Sequence, residues 1–238
     1  HMVNMVIHCL CAGALLWMIF VLAKLQKSKK PALLSIGVAS LWVLHPMCTE
    51  SVIYITGRSE SLCALFCFLA LGAWGTSLQT NKNKWAWKLL AVFLTLFAAT
   101  TKELGLLIPI CALAMEKILV SKTWKKIDWF SYTPFVVLIG FAIAAKLYIT
   151  PDFGEETATA STYKDLLPKE SDRGLVVQIL TQMEVWLQYI QLWLLPIKQT
   201  IYHHVKDVTP SSLKTITTSF GWLALMIGGW RFTRNNPL

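Results

Sequence analysis

Charge is what this sequence has least of. Only 15% of its 238 residues are Asp, Glu, Lys or Arg, while 55% are hydrophobic. A soluble domain carries roughly 25% charged residues, so the shortage excludes an ordinary water-soluble fold. Acids are scarcer still, 13 against 22 lysines and arginines, which leaves a formal charge of +9. That excess does not point to nucleic acid. The lysines stand in short turns between apolar runs, where they set membrane topology, so no nucleic-acid partner is expected. A cysteine framework is also lacking. Cys9, Cys11, Cys63, Cys67 and Cys111 lie within apolar runs, where the thiol acts as a small hydrophobe. Cys48 alone stands among polar residues, so neither disulfides nor a zinc site can be read. His8 and His45 have no second ligand at suggestive spacing, and neither haem nor a nucleotide is indicated. There is no initiator methionine and no signal-peptide pattern.

Apolar runs are plentiful. They cover 2–24, 31–45, 61–78, 85–100, 106–120, 129–149 and 213–230, and the first meets the roughly 20 residues that a spanning helix needs. The eleven tryptophans suit bilayer interfaces. Residues 1–238 therefore read as one all-α polytopic membrane domain with about seven spanning helices. The stretch 175–196 is less apolar, being interrupted by Gln178, Gln182, Glu184, Gln188 and Gln191 at helical spacing. If it spanned, Arg231 and Arg234 would lie outside, against the positive-inside rule. The preferred reading is an amphipathic helix along the interface.

Lysine-rich turns recur at every second connection, 24–30, 82–88 and 117–126, which assigns them to the cytoplasm. The connections 46–60, 101–105 and 150–212 then face the other side. Between 150 and 174 six acids outnumber three bases, as that assignment requires. Three polar connections thus converge on one extracytoplasmic face. Because the charges gather on one face and form no path through the membrane, a channel or transporter is disfavoured.

The first of these connections carries the densest chemistry, from His45-Pro46 through Glu50 to Gly57-Arg58-Ser59-Glu60. Charged loop residues often do no more than face water. Here Val52, Ile53, Tyr54 and Ile55 suggest a loop that packs inward, and polar groups between membrane segments are a default place to look for function. Glu50 and Glu60 are candidate catalytic carboxylates, or oxygen ligands for a divalent cation. Arg58 suits bidentate contact with a phosphate. In the second connection, Lys102 and Glu103 either satisfy each other or present an ammonium to a lipid phosphate at headgroup depth. His203 and His204 follow the 175–196 stretch and point in different directions, which makes a contact in an outer loop the simpler reading.

These residues together resemble a known family. His45-Pro46-x-x-Thr49-Glu50-Ser51-Val52, then Gly57-Arg58-Ser59-Glu60-x-Leu62, resembles a signature of bacterial membrane proteins with tetratricopeptide repeats. Those proteins are related to the eukaryotic transmembrane O-mannosyltransferases. Thr101-Lys102-Glu103-x-Gly105-Leu106-x-x-Pro109 is similar to the family's second motif. His1-x-x-Asn4-x-x-x-His8 resembles its opening helix, and Val185-Trp186 to Pro196 with Tyr202-His203 resembles its last segment, Tyr-His replacing Asp-His. More distantly the chain looks like the GT-C superfamily of glycosyltransferases.

The resemblance implies transfer of a sugar from a polyprenyl-phosphate donor to a protein or glycan acceptor. Glu60 would take the place of the family's acid, Arg58 of its arginine and Lys102 of its lipid-phosphate contact. Glu103, His45 and His203 are further candidate binding residues, and a divalent cation is a possible cofactor. The setting would be a bacterial inner membrane or a eukaryotic endomembrane. The resemblance also implies a first helix and outer loop ahead of His1, carrying the principal catalytic acid, and repeats beyond Leu238. Their absence here keeps open a second reading, a non-catalytic scaffold or accessory subunit of a larger membrane complex.

Overall fold

A computed structural model describes residues 1–54, 57–121, 127–149, 175–196, 217, 220–224, 227–228 and 231. Among the described residues every regular element is helical. Helix α1 (Met2–Leu25) stops where Lys27 adopts a left-handed φ of 55°. Pro31 then opens α2 (Pro31–Val43) at a position where a missing N–H costs nothing. A 3-10 turn (Pro46–Cys48), the short α3 (Thr49–Ile53) and α4 (Arg58–Gln79) follow. Asn83, with φ 60°, leads into α5 (Lys84–Thr101). Beyond it come a 3-10 turn (Glu103–Leu107), α6 (Ile108–Glu116) with Pro109 in its first turn, and a π-helical segment (Lys117–Ser121). A last 3-10 turn (Trp129–Tyr132) precedes α7 (Thr133–Ile149), and α8 covers Leu175–Leu194.

The third apolar run begins at residue 61 by composition, but its helix begins at Arg58. The polar residues Arg58, Ser59 and Glu60 therefore form its first turn and do not belong to a loop. Acidic side chains favour that position, since they meet the positive end of the helix dipole. Two helices among the described residues are long and apolar enough to cross a bilayer, α1 with 24 residues and α4 with 22. They become three if α2 and the segment Pro46–Ile53, bent by 56°, form one broken span. This is the make-up of an all-α membrane protein. The other runs form shorter helices, 18 residues in α5, 9 in α6 and 17 in α7.

The chain forms two compact units, His1–Leu147 and Tyr148–Leu238. In the second, the helix expected over 175–196 is α8, and the last apolar run is helical at its described residues. The Trp222 indole N–H donates to the carbonyl of Met183 at 3.0 Å, and Trp186 meets Trp222 edge-on at 6.1 Å. Thr181 and Glu184 lie on the buried side of α8, and Trp186, Tyr189 and Trp193 on the exposed side. The 150–174 segment and His203 lie outside the described residues.

In the first unit apolar side chains also cover the outward surface, and buried polar residues stand among the apolar ones. On α1 the amide of Asn4 is 1% exposed, while Val3, Val6 and Leu10 are 55%, 57% and 54% exposed. In lipid every polar group must be satisfied inside the protein, and apolar side chains face outward. Buried hydroxyls follow the same rule, as Thr95 and Ser77 donate back to the carbonyls of Ala91 and Trp74. Helix contacts are made by small residues. Ala70, Ala73, Ala91, Ala98 and Ala112 are fully buried, and a Cβ on Gly72 would come within 2.7 Å of the Trp17 ring. Close backbone approach of this kind holds helices together where no hydrophobic force acts between them.

Hydrogen bonds sort the connections onto two ends of this unit. Asn4 reaches Val52 and Tyr54, and Lys102 reaches Glu60. At the other end Gln79 donates to Val21, and Lys88 reaches Asp128. The polar island and the Lys102 turn thus share an end, opposite the lysine-rich turns 24–30 and 82–88. Gly105 sets the second of these shapes, because a Cβ there would lie 2.4 Å from the backbone of Ala98 and of Ala99. The 3-10 turn lies flat on the end of α5, where only glycine fits. Gly105→Ala should cost about 1–3 kcal/mol through overpacking and lower Tm in detergent. Gly13→Ala, in open space, should leave Tm unchanged or slightly raised.

Candidate functional site at the polar end

The site is assembled from three separate stretches. His45 is extended ahead of Pro46, and its Nδ1 accepts the backbone N–H of Met47 at 3.2 Å. The Thr49 hydroxyl donates to the Pro46 carbonyl at 2.6 Å, so the turn after α2 is closed by its own side chains. Glu50 stands in α3. His8 of α1 lies against the end of α2, with Nε2 3.1 Å from the Val43 carbonyl and its ring stacked on Trp42 at 4.9 Å.

Asn4 ties this turn to α4. Its amide nitrogen donates to the carbonyls of Tyr54 (2.9 Å) and Val52 (3.3 Å), and its Oδ1 accepts from Arg58 Nε at 3.0 Å. One buried side chain therefore fixes both the island backbone and the first residue of α4. One turn further along, the Cys11 thiol donates to the Ser61 carbonyl at 3.2 Å. These bonds lock the start of α4 against α1.

Lys102 arrives from the other side. It ends α5 in an extended conformation, and its carbonyl accepts from Gly105 N–H at 3.0 Å. The ammonium meets Glu60 Oε1 at 2.5 Å, with side-chain exposures of 38% and 59%. Lys102 is thus paired across the helices with a residue 42 positions away, and Glu103 beside it is exposed. Glu60 and Lys102 pair directly, while Arg58, in the same first turn of α4, is bonded to Asn4 of α1. Gly57 precedes α4 and gives it no side-chain cap, so the first-turn amides and the helix dipole add to the positive potential. A guanidinium, an ammonium and uncapped helix amides at one end of a bundle are groups that can receive an oxyanion.

Of the other candidates, His45 is committed to the turn that it opens, and His203 lies outside the described residues. Among the described residues no three His, Cys, Asp or Glu side chains gather as a metal site. Glu60, one of the two carboxylates offered as oxygen ligands, is paired with Lys102 instead.

A second polar cluster at the opposite end escaped the sequence reading. Lys88 counts by sequence among the loop lysines, yet it is 3% exposed. Its ammonium bonds the Ser131 hydroxyl and lies 3.4 Å from Asp128 Oδ2, with the rings of Trp85 and Trp74 at 5.1 and 5.3 Å. Ser131 donates to Asp128 at 2.5 Å, and the Tyr132 hydroxyl donates to buried Glu116 at 2.7 Å. The available signal was the position of Lys88, one turn inside an apolar run, where a cation requires a partner. No known protein family, curated protein or solved structure matches the chain.

The Ser131 hydroxyl, and then the Lys88 ammonium, hold the Asp128 carboxyl below the usual carboxylate range. A carboxyl lowered by folding stabilises the fold above its unfolded pKa, and that contribution is lost as pH falls through the folded value. Wild-type stability should therefore decline below about pH 4. Asp128→Asn should flatten that decline and cost about 1 kcal/mol at neutral pH, the half-exposed carboxylate being screened by water. Thermal unfolding of both proteins across pH 3–7 checks it.

Proposed function

We propose that this chain is the membrane domain of a GT-C-like glycosyltransferase that moves a sugar from a polyprenyl-phosphate donor to a protein or glycan acceptor. The observation that carries this reading is the Glu60–Lys102 contact. It brings the two motif stretches of the family resemblance to one end of the bundle, with Arg58 in the same turn. The lysine-rich turns at the opposite end support an extracytoplasmic site by the positive-inside rule. The length of α1 and α4 supports an integral membrane setting, in a bacterial inner membrane or a eukaryotic endomembrane. We read the remaining apolar runs as completing about seven spans, with α8 along the interface, where its exposed tryptophans suit headgroup depth.

In the proposed reaction an acceptor hydroxyl attacks the sugar C1, and the bond from C1 to the phosphate oxygen breaks. The polyprenyl phosphate leaves with the electron pair, and Arg58 and Lys102 stabilise its charge. The acceptor proton passes to a carboxylate, for which Glu60 and Glu50 are the candidates. Glu60 is held by Lys102 when no substrate is bound. A phosphate that takes its place on Lys102 frees it. The same ion pair also suits the second reading, a non-catalytic scaffold in which the two charges only neutralise each other.

Binding of a polyprenyl-phosphate sugar to the full-length protein in nanodiscs separates these readings. Arg58→Ala and Lys102→Ala should each weaken binding by about tenfold or more, as loss of a charged hydrogen bond does. Glu60→Gln should tighten it, up to about fivefold, because the exposed carboxylate no longer competes for Lys102. Wild type that binds no carrier, or variants altered only in stability, would favour the scaffold.

A further inference from the structure

Arg58 is exposed, and flexible exposed arginines lose side-chain entropy on gripping a ligand. Here that freedom has already been removed. The guanidinium is held at Nε by Asn4 Oδ1, at 3.0 Å. Among the described residues, no further side chain is bonded to its two terminal nitrogens. A guanidinium anchored through Nε keeps those nitrogens as a planar fork, the edge that matches two phosphate oxygens. Asn4 cannot swing to follow the arginine. It is 1% exposed, and its amide nitrogen is held by the carbonyls of Val52 and Tyr54. The same three bonds also explain why an amide, costly in an apolar helix, stands at position 4. A hydrophobe of similar size would leave two carbonyls and the Nε donor without this partner.

We infer that Asn4 is a positioning residue of the phosphate site, which aims the terminal nitrogens of Arg58 at the donor phosphate while fixing the island backbone beside it. The inference rests on the transferase reading and goes beyond it. It assigns the preorganisation of Arg58 to a residue that touches no substrate. The phosphate then meets a fork already in place, and affinity depends on Asn4 through Arg58 alone.

A double-mutant cycle on the full-length protein in nanodiscs tests this, with farnesyl phosphate as the probe and thermal unfolding measured alongside. Asn4→Ala should weaken binding about tenfold in the wild-type and Lys102→Ala backgrounds, and not at all in the Arg58→Ala background. A purely structural asparagine would lower Tm and leave affinity unchanged, or would weaken binding by the same factor in every background. Either result overturns the inference. If Asn4→Ala does not fold, Arg58→Lys answers instead, since it leaves Asn4 intact and retains the charge without the fork. It should lose about tenfold in affinity, and wild-type affinity for that variant would show that charge alone suffices. Wild-type protein that binds no farnesyl phosphate, or an Arg58→Ala variant that binds as well as wild type, would instead remove the transferase reading itself, and with it this inference.

Discussion

Polar groups among apolar helices must find their partners inside the protein, and the first unit is organised around that constraint. Asn4, Ser77, Thr95 and Lys88 each stand in a helix whose outward surface is apolar, and each is bonded inward. Where the partner is a carbonyl of the same helix, the bond only satisfies the side chain. Where it lies on another element, the bond fixes the arrangement of elements. Asn4 and Lys88 are of the second kind, and they stand near opposite ends of the bundle.

Between these ends the helices are joined by small residues. Ala70, Ala73, Ala91, Ala98 and Ala112 let backbones approach, and Gly72 admits the Trp17 ring. Such packing specifies how close two helices come better than it specifies their register. The polar contacts supply register. Arg58 is set against Asn4 and Lys102 against Glu60, so the active groups of the proposed site also align α1, α4 and α5. Loss of one of them would affect both binding and packing, which is why background-dependent effects on affinity are more informative than effects on yield.

Local chemistry was legible in the sequence. Pro31 marks a helix start by its missing N–H, the apolar runs locate the helices, and Gly105 marks a close approach. The order of lysine-rich and polar connections also led to the two ends that the bonds define. Pairings between distant positions were not legible. Lys102 has an acid beside it in the chain, yet its partner is Glu60, because the extended end of α5 carries the ammonium to the first turn of α4. Lys88 looked like a turn residue because residues 82–88 form a basic cluster. Helix α5 begins at Lys84, however, and carries Lys88 one turn inward. The three partners of Asn4 come from residues about fifty positions away, beyond the reach of any local pattern.

The two ends differ in what they owe to the surrounding electrolyte. The Lys102–Glu60 contact is open to water on both sides, and mobile ions screen such a pair within roughly 8 Å at physiological ionic strength. The Lys88 ammonium is enclosed by Trp74, Trp85 and Ser131 and feels those ions far less. Rising salt therefore loosens the polar end and leaves the opposite end clamped. The bundle has one electrically adjustable rim and one fixed base.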